Sequence, residues 1–342
     1  MCFGQWVEEF NNGLEDICQL IGQTPDMCFR PRPQWVVERV TEPDGIVIQR
    51  DTWTYWFVGR PFDVVDGARC RLIQRITTLR QVAPDPVQAR AGRRIEMFDL
   101  QARIGDAVIC PHDVHPALCN VFSHIVMGLG LLSYLDVDYP ELADEYLDMI
   151  RARCLRKIHA IVGTRLSAVV LIAEDSSSKQ ALLFNPEILR RRLYLGACAY
   201  AQAWHEHSVK ALFHTDGNFE TTMPDLIACG VDGFYCPEPG CGEGHRGSED
   251  AGCRRTFEWA VWTEWTCWNA TPEEIGAKDR RQILKTNALD NAGMFAGSSI
   301  GINPAVKPEN FRAMVETVGE VRNPASSMMV GRETLCQRPA CR

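Results

Sequence analysis

The stretch 212–235, LFHTDGNFETTMPDLIACGVDGFY, decides how this chain is read. The apolar run that stops at His214 is short and predicts a buried strand. Asp216, Gly217 and Asn218 follow as turn residues. A short helix is expected to end at Cys229-Gly230, and VDGFY reads as a second strand. The strands are apolar rather than alternating, which fits parallel strands covered by helices.

The same rhythm extends on both sides. Tyr139-Pro140-Glu141-Leu142 opens a long helix with Leu142, Tyr146, Met149, Ile150 and Ile158 near one stripe. A strand is expected over about 167–173, in SAVVLIAED. Asn185-Pro186-Glu187 opens the next helix, and Thr271-Pro272-Glu273-Glu274 another. GMFAGSS reads as a strand over about 293–297, and Lys307-Pro308-Glu309 starts a helix carrying Phe311, Met314, Val315 and Val318. Proline at a first helical position loses nothing, because its missing N–H would have had no partner there. Thr271 and Glu274 have the spacing of a capping box. One-way alternation of strand and helix gives an open doubly wound sheet or a closed (β/α)8 barrel, and periodicity leaves both open. Neither GxGxxG after a strand nor GxxxxGK[ST] occurs, so dinucleotide and P-loop readings lose support.

The chain has 342 residues, of which 46% are hydrophobic and 23% charged. Its formal charge of −8 disfavours a nucleic-acid partner. No apolar run is long enough to span a membrane. The N-terminus does not read as a signal peptide and predicts an amphipathic helix with Trp6, Phe10, Leu14 and Ile17 near one face. A β-rich section with a PDG turn, expected to be a hairpin, spans 30 to about 60. That divides the chain into an N-terminal helix and β-rich extension (1–60), an α/β body (61–330) and a tail (331–342). The arginine-rich stretch 61–100 reads only as short helical segments. Helix and hairpin are candidate contacts for a homo-oligomer. The fifteen cysteines read as reduced thiols of a cytoplasmic protein. Cys236, Cys241, Cys253 and Cys267 are spaced too irregularly for a convincing zinc knuckle.

Reactive groups are expected just past the C-terminal ends of the strands. These positions hold Glu174, Asp175 and Ser176; His214 and Asp216; Cys236 and Glu238; and Ser298, Ser299 and Asn303. His214 and Asp216 are two apart on an extended strand and face one side. They can share a zinc ion, or the carboxylate can orient the imidazole for proton transfer. The plainer alternative is a satisfied strand-end histidine beside a turn-capping aspartate. Glu174 and Asp175 are adjacent and face opposite sides, and Asp175 is the one expected in the pocket. Glu238, between Pro237 and Pro239, is a further candidate acid. His112, Asp113 and His115 form a weaker cluster. His205 and His207 end a helix on the opposite rim and read as solvated. Trp259, Trp262, Trp265 and Trp268 read as a packed or amphipathic segment.

IAEDSSSKQALLFNPEIL, VKALFHTDGNFETTMPDLIACGVDGFY, TPEEIGAKDRRQILKTNALDNAGMFAGSS and INPAVKPENFRAMVETVGEVR together resemble the uroporphyrinogen decarboxylase superfamily. The resemblance covers more than half the chain and implies a (β/α)8 TIM barrel with its site at the C-terminal rim. The arginine-rich N-terminal signature of the decarboxylases is not evident, and AGRRIEMFDL at 91–100 is a superficial echo. HTDG is closer to the branch that passes methyl groups to a corrinoid carried by a separate protein. In that branch His214 would bind zinc. Asp216 stands where the family has a cysteine, and Ser298 and Ser299 where it has a later one. A His/carboxylate set suits an oxygen substrate better than a thiol. The resemblance therefore implies O-demethylation of a small methoxylated substrate. The site would hold His214, Asp216 and Glu238 as metal ligands and Asp175 as a catalytic partner, with Asn218, Ser298 and Ser299 towards the cofactor. Decarboxylation of a tetrapyrrole and non-catalytic binding are the alternatives. The stretch 241–268 departs from the family and leaves one barrel strand in question.

Overall fold

In a computed structural model the chain is described over residues 37–50, 55–81, 127–161, 169–235, 257–262, 270–285, 294–298 and 306–322, and at Ala102. The expected N-terminal helix, the 110–116 cluster, the four knuckle cysteines, Glu238, Trp265, Trp268, Ser299, Asn303 and the 331–342 tail lie outside these residues.

Val40, Val47, Ile48 and Phe57 belong to strands β1 (Glu38–Thr41), β2 (Val47–Arg50) and β3 (Tyr55–Gly59). They form an antiparallel sheet in the order β1-β2-β3. The turn between β1 and β2 places Gly45 at a φ of 83°, where glycine carries no Cβ penalty. The expected hairpin thus gains a third strand. The long apolar run after Gly45 folds back on itself, pairing Arg50 with Tyr55.

The arginine-rich stretch also departs from expectation. Val65–Gln81 is one 17-residue helix, α1. Its buried stripe is only Ala68, Leu72 and Ile76, at helical spacing. So narrow a stripe among arginines leaves little periodic signal. Arg71 pairs with Asp44 at 2.5 Å, tying α1 to the first sheet. Helices α2 (Gly128–Asp138) and α3 (Pro140–Ile161) follow. Leu131, Leu132, Leu135, Tyr146 and Ile158 from these two join the core, with Leu142, Met149 and Ile150 packed on its margin.

The body of the chain is a parallel sheet. Strands β4 (Val169–Ala173), β5 (Lys210–His214), β6 (Gly233–Tyr235), β7 (Phe257–Trp262) and β8 (Met294–Ser298) lie side by side in chain order. Every neighbouring pair is parallel. The order advances without reversal, and among the described residues the sheet is open. β7 gives part of the tryptophan series its element, which the reading as a packed or amphipathic segment left open. Trp259 and Trp262 belong to a strand that pairs with β8 from Glu258↔Met294 to Trp262↔Ser298. A spacing of three is no mark of a strand, so the sequence concealed it.

Between β4 and β5 the chain forms α4 (Pro186–Ile188), a π-helical turn (Leu189–Leu193) and α5 (Tyr194–His205). Asn185 caps the start by accepting from Glu187 N at 2.8 Å. The π turn carries Arg192, which is buried and pairs with Asp136 and, at 3.0 Å, with Asp144. A 3-10 turn (Glu220–Thr222) and α6 (Met223–Ala228) join β5 to β6. Cys198 of α5 and Cys229 at the end of α6 form a disulfide, which corrects the reading of the cysteines as reduced. The two are 31 residues apart and meet only because α6 returns against α5. α7 (Pro272–Lys285) and α8 (Pro308–Arg322) pack together, and the capping box forms as expected. Thr271 N donates to Glu274 Oε2 at 2.8 Å, and Glu274 N to Thr271 Oγ1 at 3.3 Å. No helix among the described residues is long and apolar enough to cross a membrane.

Candidate functional site

β4 and β5 are largely buried, and their C-terminal ends run level. Ala173 pairs with His214, and Glu174 N donates to His214 O at 2.9 Å. The next residues of both strands therefore emerge together. Alternation then sorts the two acids after β4. Glu174 is fully buried, whereas the Asp175 side chain is half exposed beside His214. Burial pushes the Tyr200 phenol well above its usual range, and Cys154 and the Glu174 carboxylate add to the effect. Glu174 thus belongs to the polar layer under the site.

His214 Nε2 lies 3.8 Å from Asp175 Oδ1 and 3.9 Å from Asp216 Oδ1. The His214 side chain is 17% exposed, so the ring is wedged at the rim while both carboxylates reach solvent. The ligand atoms of the three residues all lie within 4.8 Å of one another. Spacing put His214 and Asp216 on one face, and the pairing of β4 with β5 brings Asp175 to them.

Sequence reasoning missed what holds the trio in place. Thr215, fully buried, accepts from Ser176 N at 3.0 Å and shares a hydrogen bond with Ser176 Oγ at 3.0 Å. Ser177 Oγ donates to Asp216 O. Asn218 N donates to Ser178 O at 2.8 Å. The 176–178 segment and the 215–218 turn are thereby joined, which fixes Asp175 relative to Asp216. A serine run in SSSK was the available signal, and it reads equally as a solvated loop. Asn218 spends part of its side chain locally, its Oδ1 accepting from Glu220 N at 3.3 Å. Ser298 is the last residue of β8.

One imidazole and two carboxylates make a donor set that suits zinc. Tetrahedral zinc, with bonds of about 2.1 Å, holds its ligand atoms ~3.4 Å apart, so each carboxylate would have to come roughly 0.5 Å nearer to His214 Nε2. The same three groups without metal form a histidine steered by two acids, an arrangement suited to proton transfer.

No protein-family model matches the chain, and no curated protein matches it. A crystal structure of dihydropteroate synthase from Anaplasma phagocytophilum with bound 6-hydroxymethylpterin-monophosphate is similar at a TM-score of 0.37 and 13% identity, over 52% of this chain and 69% of that one.

Proposed function

We propose that this chain is a (β/α)8 enzyme that takes a methyl group from a small methoxylated substrate and passes it to a corrinoid carried by a separate protein. The observation that carries the reading is the convergence of His214, Asp175 and Asp216 at the C-terminal ends of two adjacent parallel strands. Support also comes from the strand order, which runs β4 to β8 without reversal. A doubly wound sheet reverses its order at the switch point, and a barrel does not. The resemblance of the HTDG stretch to the methyl-transferring branch supplies the reaction class.

Breaking a methyl–oxygen bond leaves the electron pair on oxygen, so the site must neutralise an emerging oxyanion. His214 Nε2 delivers a proton to that oxygen, and the Asp175 and Asp216 carboxylates, 3.8 and 3.9 Å from the same nitrogen, place negative charge beside the ring. Zinc held by His214, Asp175 and Asp216 would supply a Lewis-acid contact for the same oxygen. A Co(I) corrinoid on the partner would supply the two-electron nucleophile for the methyl carbon. The products balance as a demethylated hydroxy compound and a methylated acceptor.

The test uses a panel of methoxylated aromatic compounds with cob(I)alamin as acceptor, read by loss of the Co(I) absorbance. Wild-type protein is expected to demethylate at least one compound. His214→Ala is expected to slow that reaction by about 100-fold or more, the contribution typical of a positioned general acid. An unchanged rate in the variant would remove His214 from the mechanism. Decarboxylation of a carboxylated tetrapyrrole, with no methyl transfer from any compound, would replace this reading by the decarboxylase one.

A further inference from the structure

At the other end of β5, three ligating side chains meet that take no part in the proposed reaction. His159 stands in the last turn of α3, and Glu206 and His207 in the turn from α5 to β5. His159 Nδ1 lies 3.4 Å from His207 Nε2. A Glu206 carboxylate oxygen completes a group whose ligand atoms all lie within 4.8 Å of one another. The sequence reading of His207 as solvated is right about exposure but could not see His159, 48 positions away.

Three observations favour a bound cation over a simple imidazole pair. The two ring nitrogens are within hydrogen-bonding reach of each other, at the long end of that reach. Two imidazoles on one tetrahedral zinc stand ~3.4 Å apart, which is the spacing found. Second, two helices end here. The C-terminal ends of the α3 and α5 helix dipoles bring negative potential to this corner and favour positive charge. Third, the corner is firmly built. His207 N donates to Trp204 O at 3.0 Å, Ser208 N to His205 O at 2.9 Å and Val209 N to Trp204 O at 3.1 Å. Ser208 adopts a left-handed φ of 63°, which turns the chain from α5 into β5 directly after His207. α3 and α5 pack against each other, so the ligands come from elements already in register.

We infer that His159, Glu206 and His207 bind a divalent transition-metal ion of the zinc class, clamping the end of α3 to the α5–β5 corner. Two imidazoles and a carboxylate form a three-ligand zinc set that leaves one position for water. The site is distinct from the His214 cluster, since the five residues of β5, about 17 Å of strand, lie between them.

The experiment titrates chelator-stripped full-length protein with zinc chloride, read by competition with a chromogenic chelator and by thermal unfolding. Wild-type protein is expected to take up zinc and gain thermal stability. His159→Ala and His207→Ala should each weaken that uptake by roughly 100-fold or more, since even outer-shell changes cost 10- to 100-fold. In a His214→Ala background, which removes the other candidate zinc cluster, this uptake and its loss on His159→Ala should both persist, which separates the two sites. Unchanged uptake in His159→Ala and His207→Ala overturns the inference, as does a wild-type protein that takes up no zinc. Should either alanine variant fail to fold, His159→Gln and Glu206→Gln stand in. The cobalt(II) spectrum of His214→Ala protein then decides, because a tetrahedral nitrogen/oxygen site gives intense visible bands and an unbound ion does not.

Discussion

Gly217 stands between Asp216 and Asn218 at a φ of 79°. A Cβ there would collide with the Ser178 carbonyl and come within 2.9 Å of Ser178 Cα. Neither atom can move without opening the junction between the two site loops. Gly217→Ala is therefore expected to cost about 2–3 kcal/mol, from left-handed strain and overpacking together. Urea unfolding measures the loss, and a change under 0.5 kcal/mol would contradict the steric account. The same substitution should lower the proposed demethylation, because Asp216 moves with the turn. At this scale the sequence spoke clearly about identity and direction. His214 and Asp216 share a face because they are two apart, and Glu174 and Asp175 divide because they are adjacent. Thr215 carried no such signal, since its value lies in the Ser176 amide on another strand's loop.

β5 is anchored at its start by charge as well as by its ladder. Asp232, just before β6, accepts from Ala211 N at 2.9 Å, from Lys210 Nζ at 2.6 Å and lies 2.6 Å from His205 Nε2. Burial alone would push its carboxyl up, but Lys210, the Ala211 amide and His205 outweigh it and hold the pKa below the usual carboxylate range. A depressed folded pKa means that the unfolded chain binds the proton more readily. The stabilisation is therefore complete above the unfolded value of about 4 and is lost as pH falls through the folded one. Asp232→Asn should cost about 2 kcal/mol at pH 7, and the gap from wild type should close below about pH 4. Urea unfolding of both proteins across that range checks it, and a pH-independent gap would count against the ionic account. Most elements were legible: the proline-led helices α3, α7 and α8 start where Pro140, Pro272 and Pro308 stand. α1 and β7 were not, because arginines diluted one stripe and tryptophans at a misleading interval masked the other.

Across the molecule, the Cys198–Cys229 bridge closes a 31-residue separation around β5 and its turn. A loop of that length gives about 3–4 kcal/mol in the chain-entropy account. Thermal unfolding with and without a thiol reductant should show a lower transition in the reductant. Cys198→Ser should reproduce the loss and abolish the reductant's effect. An unchanged transition would mean that the bridge does not form in solution. The alternation of apolar strands with capped helices is a property of neighbouring residues, and so the sequence by itself determined the α/β class, most element starts and the face on which His214 and Asp216 lie. Contacts between residues far apart in the chain leave no local periodicity. Only tertiary structure decided that Asp175 reaches His214, that Thr215 locks the two loops, that Cys198 meets Cys229, and that His159 comes to His207 at the far end of the sheet.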